Sequence, residues 1–211
     1  MLNQYHVLEF DDLQFGFKAK SSTVLCTAML METIKYYNHK NSDVHLLLID
    51  ASKAFDRVNF VKLFELLYDR HICPVVLCLI MNMYIQSSIC VRWQDQISQT
   101  FPISNGVKQG GVLSPILFNV YMDNLLLRLR NCGLGCHVGP AFAGAFGYAD
   151  DLALLAPTVN SLKYMINICE KYASEFYIKF NTKKSKTMYF NCKDNVEVNN
   201  IYTLKFDYCE N

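Results

Sequence analysis

The stretch Ala145-Phe146-Gly147-Tyr148-Ala149-Asp150-Asp151-Leu152-Ala153-Leu154-Leu155-Ala156 sets two adjacent carboxylates between two apolar runs. Short apolar runs around a polar pair read as a hairpin with the acids at its turn. A further acid has a similar setting. Val44 to Ile49 is an almost continuous apolar run, as a buried strand requires, and it ends at Asp50. Carboxylates beside a core are costly unless they are paired, hydrogen-bonded or bound to a cation. Either acidic site alone reads equally well as a plain turn, where Asp is common. Together they suggest a shared task. Three acidic side chains from two adjacent strand ends can hold two Mg²⁺ ions, which prefer carboxylate oxygens and substrate phosphates. Two such ions suit phosphoryl transfer.

Outward from these acids, helix and strand signals alternate. Asn59 reads as an N-cap, with Phe60, Leu63, Phe64 and Leu67 following on one face. Pro74 suits the first turn of another helix, with Val76, Leu79, Ile80 and Met83 on its apolar face. Ile89, Val91 and Trp93 alternate, as do Phe101 and Ile103, and Gln94-Asp95 reads as the turn of a hairpin. Ser114-Pro115 gives a hydroxyl cap and a proline start to a helix whose apolar face is Leu117, Val120, Tyr121 and Leu125. Gly133, Gly135 and Gly139 interrupt the chain after it. Leu162, Met165, Ile166, Cys169, Ala173 and Phe176 make the cleanest amphipathic helix. Residues 177–180 and Lys186 to Phe190 read as closing strands. This order predicts an α+β fold: an antiparallel or mixed sheet with helices packed on one face.

The 211 residues are 52% hydrophobic and 18% charged, which excludes a disordered tail. The net charge of +1 hides an uneven distribution, because residues 171–193 carry six lysines against one acid, Glu175. The neutral total taken alone argues mildly against nucleic acid; the basic strip beside an acidic site reverses that. The nine cysteines include no CxxC pair, and Cys132 and Cys136 lack the partners of a zinc site, so they read as small buried hydrophobes. Residues 1–12 lack the basic and apolar regions of a signal peptide. The longest charge-free apolar run, residues 72–81, falls short of the ~20 residues that span a bilayer. The chain is expected to be soluble and intracellular, without a membrane segment.

Five ordered stretches resemble the reverse transcriptase family. Tyr148-Ala149-Asp150-Asp151 is similar to its YxDD signature, in the YADD form common in non-LTR retrotransposons and group II introns. Leu48-Ile49-Asp50-Ala51-Ser52-Lys53-Ala54-Phe55 resembles its first catalytic motif, and Gln109-Gly110 with Ser114-Pro115 its QG…SP motif. Gln14-Phe15-Gly16-Phe17-Lys18 with Ser22-Thr23 resembles the finger segment that precedes the palm. Asn181-Thr182-Lys183-Lys184-Ser185-Lys186 resembles a later lysine-bearing motif. The wording looks most like a LINE-type element. The resemblance implies a polymerase palm and a partial fingers segment. Residues 1–43 would be fingers and 44–190 palm, with a fingers hairpin near 86–104. Residues 191–211 would be a tail ending before the thumb, which would be absent from this fingers–palm fragment.

The resemblance further implies template-directed dNTP addition to a DNA primer on an RNA template, with nuclear action. Asp50, Asp150 and Asp151 would hold two Mg²⁺ ions, with Mn²⁺ as a substitute. Phe55 would be the aromatic that selects the sugar, and Gln109 and Gly110 would approach the incoming nucleotide. Lys184 would protonate the leaving pyrophosphate, with Lys183 and Lys186 as neighbouring registers. Lys18 and Lys20 would meet phosphates as point charges, and Asp56 would have a structural hydrogen-bonding role. Other readings stand beside this one: an inactive remnant or RNA-binding maturase-like module, and an RNA-directed RNA polymerase, which Phe55 and the YADD form disfavour.

Overall fold

The computed structural model describes residues 9–192 and the backbone of residues 196 and 197. Its elements run α1 (Thr23–His39), β1 (Val44–Ile49), α2 (Phe60–Asp69), α3 (Pro74–Ile85), β2 (Ser88–Ile89), β3 (Arg92–Trp93), β4 (Gln96–Ile97) and β5 (Phe101–Pro102). They continue with α4 (Ser114–Asn131), β6 (His137–Val138), β7 (Ala141–Phe142), β8 (Ala145–Tyr148), β9 (Asp151–Ala156), α5 (Val159–Glu175), β10 (Lys186–Phe190) and β11 (Val196–Glu197). Among the described residues, no helix is long and apolar enough to cross a membrane.

The central sheet has the order β11–β10–β1–β9–β8, and every neighbouring pair is antiparallel. Its apolar character explains why β1 and β9 sit inside it. Leu152 to Ala156 are all buried, and so are the adjacent Leu46 and Leu47, whose side chains point to opposite faces. The centre of the sheet is therefore covered on both faces, where the sequence pattern implied one. Helix α1 packs on β1 and β8, while α4 and α5 pack on β8 and β9. Residues 13–15 extend the sheet past β8: Gln14 bridges Gly147 in parallel, with Phe15 N–H donating to Gly147 O and Gly147 N–H to Leu13 O, each at 2.8 Å.

Two tyrosines lock the helices beneath the sheet. Tyr172 in α5 donates its hydroxyl to Tyr121 O, and Tyr121 in α4 donates its own to Phe176 O. The Tyr121 oxygen also accepts Asn59 N–H at 3.2 Å, at the start of α2. Burial pushes the Tyr121 hydroxyl up to about 12, so it stays protonated and keeps donating. Asn59 caps α2 as its sequence predicts, accepting Lys62 N–H at 3.1 Å.

Four local expectations change. Residues 177–180 form no strand. Tyr177 adopts φ +55° and Ile178 N–H returns to Ala173 O at 2.9 Å, so these residues close the end of α5; only Phe180 then bridges to Ala51. On α3, Ile80 and Tyr84 are buried, while Leu79 and Met83 are 64% and 48% exposed. That helix is apolar nearly all round, so periodicity cannot select its inner face. The Ser114 hydroxyl does not cap α4 but donates to Lys108 O, tightening the loop before the helix. Of the eight described cysteines, all free, only Cys136 and Cys169 are buried; Cys209 lies outside the described residues.

Candidate active site

The register of the sheet brings the acids together. Ile49 pairs with Leu152, so the next step along both strands sets Asp50 beside Asp151. Tyr148 pairs with Asp151, leaving Ala149 and Asp150 as the two central residues of the β8–β9 turn. Ala149 has φ +57°, the left-handed region such a tight turn demands of its first central residue. Asp151 feels the other two carboxylates. Partial desolvation raises the Asp151 carboxyl above its ordinary value although the residue as a whole is exposed, Asp150 and Asp50 raise it further, and Lys184 opposes them. Among the described residues, no three acidic, imidazole or thiol side chains are gathered tightly enough to enclose a metal ion. The donor set nevertheless fits a hard cation: carboxylate oxygens from two strand ends whose mutual repulsion a divalent ion would relieve.

Lys184 is the lysine that reaches these acids, its Nζ standing 3.8 Å from Asp50 Oδ1. Asn181 sets that register. Its Oδ1 accepts Lys183 N–H at 3.1 Å and Lys184 N–H at 3.3 Å, and its own N–H donates to Asp50 O at 2.8 Å. Lys183 is exposed, and Lys186 lies on β10 opposite Leu48.

Phe55 begins a short 3₁₀ turn, Phe55–Arg57, and its half-buried ring stacks on Phe118 with centroids 4.5 Å apart. Phe17 meets it edge-on at 6.3 Å. The QG loop is bound to this turn. Val107 N–H donates to Phe55 O and Gly106 N–H to Val58 O, each at 2.8 Å, and Gln109 Nε2 donates to Asp56 Oδ1 at 3.0 Å. Asp56 thus makes the kind of structural hydrogen bond expected of it. Gly110 has open space around its Cα, so its glycine is required by φ +77° and not by a close neighbour.

Lys18 and Lys20 are not drawn to Asp50, Asp150 or Asp151. Lys18 Nζ donates to Phe10 O at 3.3 Å and Asp11 O at 3.2 Å, and pairs with Asp12 at 3.3 Å. Lys20 is exposed, with φ +61°. A further apolar groove of about 800 Å³ lies between α2 and α3, lined by Phe60, Phe64, Met81 and Ile85, and it includes none of the candidate residues.

Two residues given no role from the sequence, Gln14 at the head of the 14–18 stretch and Asn119, support the acidic turn. Gln14 accepts Ala149 N–H at 3.1 Å, and Asn119 in α4 donates to Gly16 O at 2.8 Å. Both are buried. The available signal was an amide within an apolar run: Asn119 lies between Phe118 and Val120, and Gln14 between Leu13 and Phe15.

Comparison with known proteins identifies the fold and its kin. Residues 1–208 match the family described as reverse transcriptase (RNA-dependent DNA polymerase). The retrovirus-related Pol polyprotein of the type-2 retrotransposable element R2DM from Drosophila melanogaster is 30% identical over 162 residues, covering 76% of this chain. The corresponding polyprotein of the type-1 element R2 from Nasonia vitripennis is 29% identical over 178 residues, covering 84%. The chain spans only 15% and 17% of those two relatives. Telomerase from Candida tropicalis, solved with a TWJ fragment of telomeric RNA, shares the fold with a TM-score of 0.70 at 13% identity, over 93% of this chain and 36% of that one. The palm architecture and the match along almost the whole sequence agree: the chain belongs to the reverse transcriptase (RNA-dependent DNA polymerase) family, as a LINE-like domain of the non-LTR retrotransposon kind.

Proposed function

We propose that this domain adds dNTPs to a DNA primer 3′-OH under direction of an RNA template. The observation that carries the reading is the meeting of Asp50 with the Asp150-Asp151 turn, with Lys184 beside Asp50. Asp50, Asp150 and Asp151 would hold two Mg²⁺ ions, or Mn²⁺ in their place. Bound there, the ions supply Lewis-acid chemistry, lowering the pKa of the primer hydroxyl and balancing charge on the triphosphate. The chain's own groups do the rest. Lys184, whose Nζ stands 3.8 Å from Asp50 Oδ1, would serve as general acid to the departing pyrophosphate. The Phe55 ring, backed by Phe118, forms a firm wall against which a 2′-OH would clash, favouring dNTP over NTP. The Gln109 side chain, held by Asp56, and the open backbone at Gly110 receive the nucleotide. Lys18 and Lys20 attract template or triphosphate phosphates as point charges. The same reading assigns residues 44–190 to the palm, and residues 1–43 with the 86–104 hairpin to the fingers.

Primer extension on an RNA template with Mg²⁺ tests it. Wild type extends with dNTPs, Asp150→Asn loses on the order of a thousandfold in rate, equivalent to ~4 kcal/mol of transition-state stabilisation, and Phe55→Ala admits NTPs. Incorporation that survives loss of both Asp50 and Asp150 contradicts the proposal. RNA binding without Mg²⁺-dependent extension favours a binding module instead.

A further inference from the structure

The acidic turn is held from outside the hairpin that contains it. Ala149 sits at φ +57°, a conformation unfavourable for a residue with a Cβ, so neighbouring groups must maintain it. Its N–H is donated to Gln14 Oε1 at 3.1 Å, and the same oxygen accepts Gly16 N–H at 2.9 Å. Both partners are backbone donors, so the amide can face them only through its oxygen. Gln14 is 1% exposed, and its Nε2 has no hydrogen-bond partner among the described residues. A residue needed only for packing would be Leu or Met, which leave no buried amide nitrogen unpaired. The acceptor oxygen is what accounts for a glutamine at this place.

Gln14 is itself seated. Asn119, fully buried in α4, donates to Gly16 O at 2.8 Å. A Cβ on Gly16 would collide with the Ala149 backbone nitrogen, so only glycine lets the two segments close to this distance. Leu13 and Phe15 exchange backbone bonds with Gly147, two residues before Ala149. The anchor continues to the N-terminal side. Asp11 N–H donates to Asp123 Oδ1 at 2.7 Å, and Arg70 and Arg130 form ion pairs with Asp123 and Asp11.

We propose that Gln14, seated by Asn119 through Gly16, is a positioning residue for the acidic turn: its Oε1 holds Ala149 in the left-handed region and so aims Asp150 and Asp151 toward Asp50. Gln14 acts through Ala149 and touches no substrate. The proposal rests on the reading of those three acids as the working site.

The test uses the full chain and two independent readouts. Amide hydrogen exchange, without metal or nucleic acid, reads the contact itself. The Ala149 amide is expected to exchange at least about tenfold more slowly than in an unfolded chain. Gln14→Met, which keeps the volume and removes the acceptor, abolishes that protection, and Gln14→Glu, which keeps an acceptor oxygen, restores it. Primer extension reads the consequence. Gln14→Met lowers kcat on the order of tenfold to a hundredfold, as small misplacements of reacting groups do, with KM for dNTP within about twofold. Gln14→Glu recovers kcat. An unprotected Ala149 amide in the wild type overturns the proposal, as does a Gln14→Met variant with unchanged exchange and unchanged kcat. If the wild type adds no dNTP while Ala149 exchange still depends on Gln14, the clamp stands and the polymerase reading fails. Should Gln14→Met not fold, Asn119→Ala, which unseats Gln14 without removing it, is read in the same way.

Discussion

The acidic end of the central sheet and the β2–β5 hairpin are built by opposite means. Asp50 leaves a strand flanked on both sides by antiparallel partners, and Ile49 and Leu152 behind the acids are 2% and 3% exposed. Backbone bonds from Asn181 and the Gln14 amide fix the loops around them. In the hairpin, every residue from 88 to 102 is exposed. It is held by the rungs Ser88↔Pro102, Ile89↔Phe101, Arg92↔Ile97 and Trp93↔Gln96, with Trp93 75% exposed near the tip. Chemistry that depends on the relative aim of carboxylates needs buried support on all sides. A projecting ribbon needs only its own ladder, and it is the region expected to open locally at least cost.

That contrast can be broken by mutation. The largest effect belongs to the sheet. Leu154→Ala removes a fully buried side chain between β1 and β8 and is expected to cost about 2–5 kcal/mol of unfolding free energy, measured by denaturant titration. A loss below about 1 kcal/mol would mean that the sheet is not the rigid frame described.

A smaller effect of opposite sign belongs to the acids. The Asp151 carboxyl lies above its ordinary value, so the folded state holds its proton more tightly than the unfolded chain does. The group imposes no penalty below the ordinary carboxylate range, and stability is lost as pH rises through its raised pKa. Asp151→Asn should therefore stabilise the metal-free protein at neutral pH and leave it unchanged in acid. Because Asp151 is exposed, solvent screening keeps the gain in Tm to roughly 1–2 °C. Added Mg²⁺ should erase the difference by stabilising the wild type. A lower Tm for Asp151→Asn at neutral pH would contradict a carboxyl raised by desolvation and the neighbouring acids.

The smallest effect belongs to the hairpin tip. Trp93→Ala is expected to change unfolding free energy by no more than about 0.5 kcal/mol. A loss of several times that amount would show the ribbon to be part of the cooperative core.

The same contrast governs what the sequence disclosed. Strand β1, the acidic hairpin and α5 were legible because an apolar run, a polar interruption and a helical stripe are local patterns. The acids were legible because charge beside a core is conspicuous. The inner face of α3 was hidden by apolar residues around its whole circumference. Residues 177–180 read as a closing strand, while the left-handed turn at Tyr177 that ends α5 depends on a return bond between Ile178 and Ala173 that no local pattern shows. Lys184 could not be separated from Lys183 and Lys186 by spacing, since its reach to Asp50 is set by the Asn181 turn. The contacts Gln14–Ala149 and Gln109–Asp56 join distant parts of the chain, and no local pattern announces them.

The central claim is that the ends of β1 and of the β8–β9 hairpin form one cation site. Mn²⁺ binding to the metal-free chain, followed by electron paramagnetic resonance without nucleic acid, tests it most directly. Wild type should bind, and Asp50→Asn and Asp150→Asn should each weaken binding by about tenfold or more. The double variant should lose less than the product of the two single effects, because the acids serve one shared site. Binding unaffected by either change, or losses that multiply as for independent sites, would contradict the account.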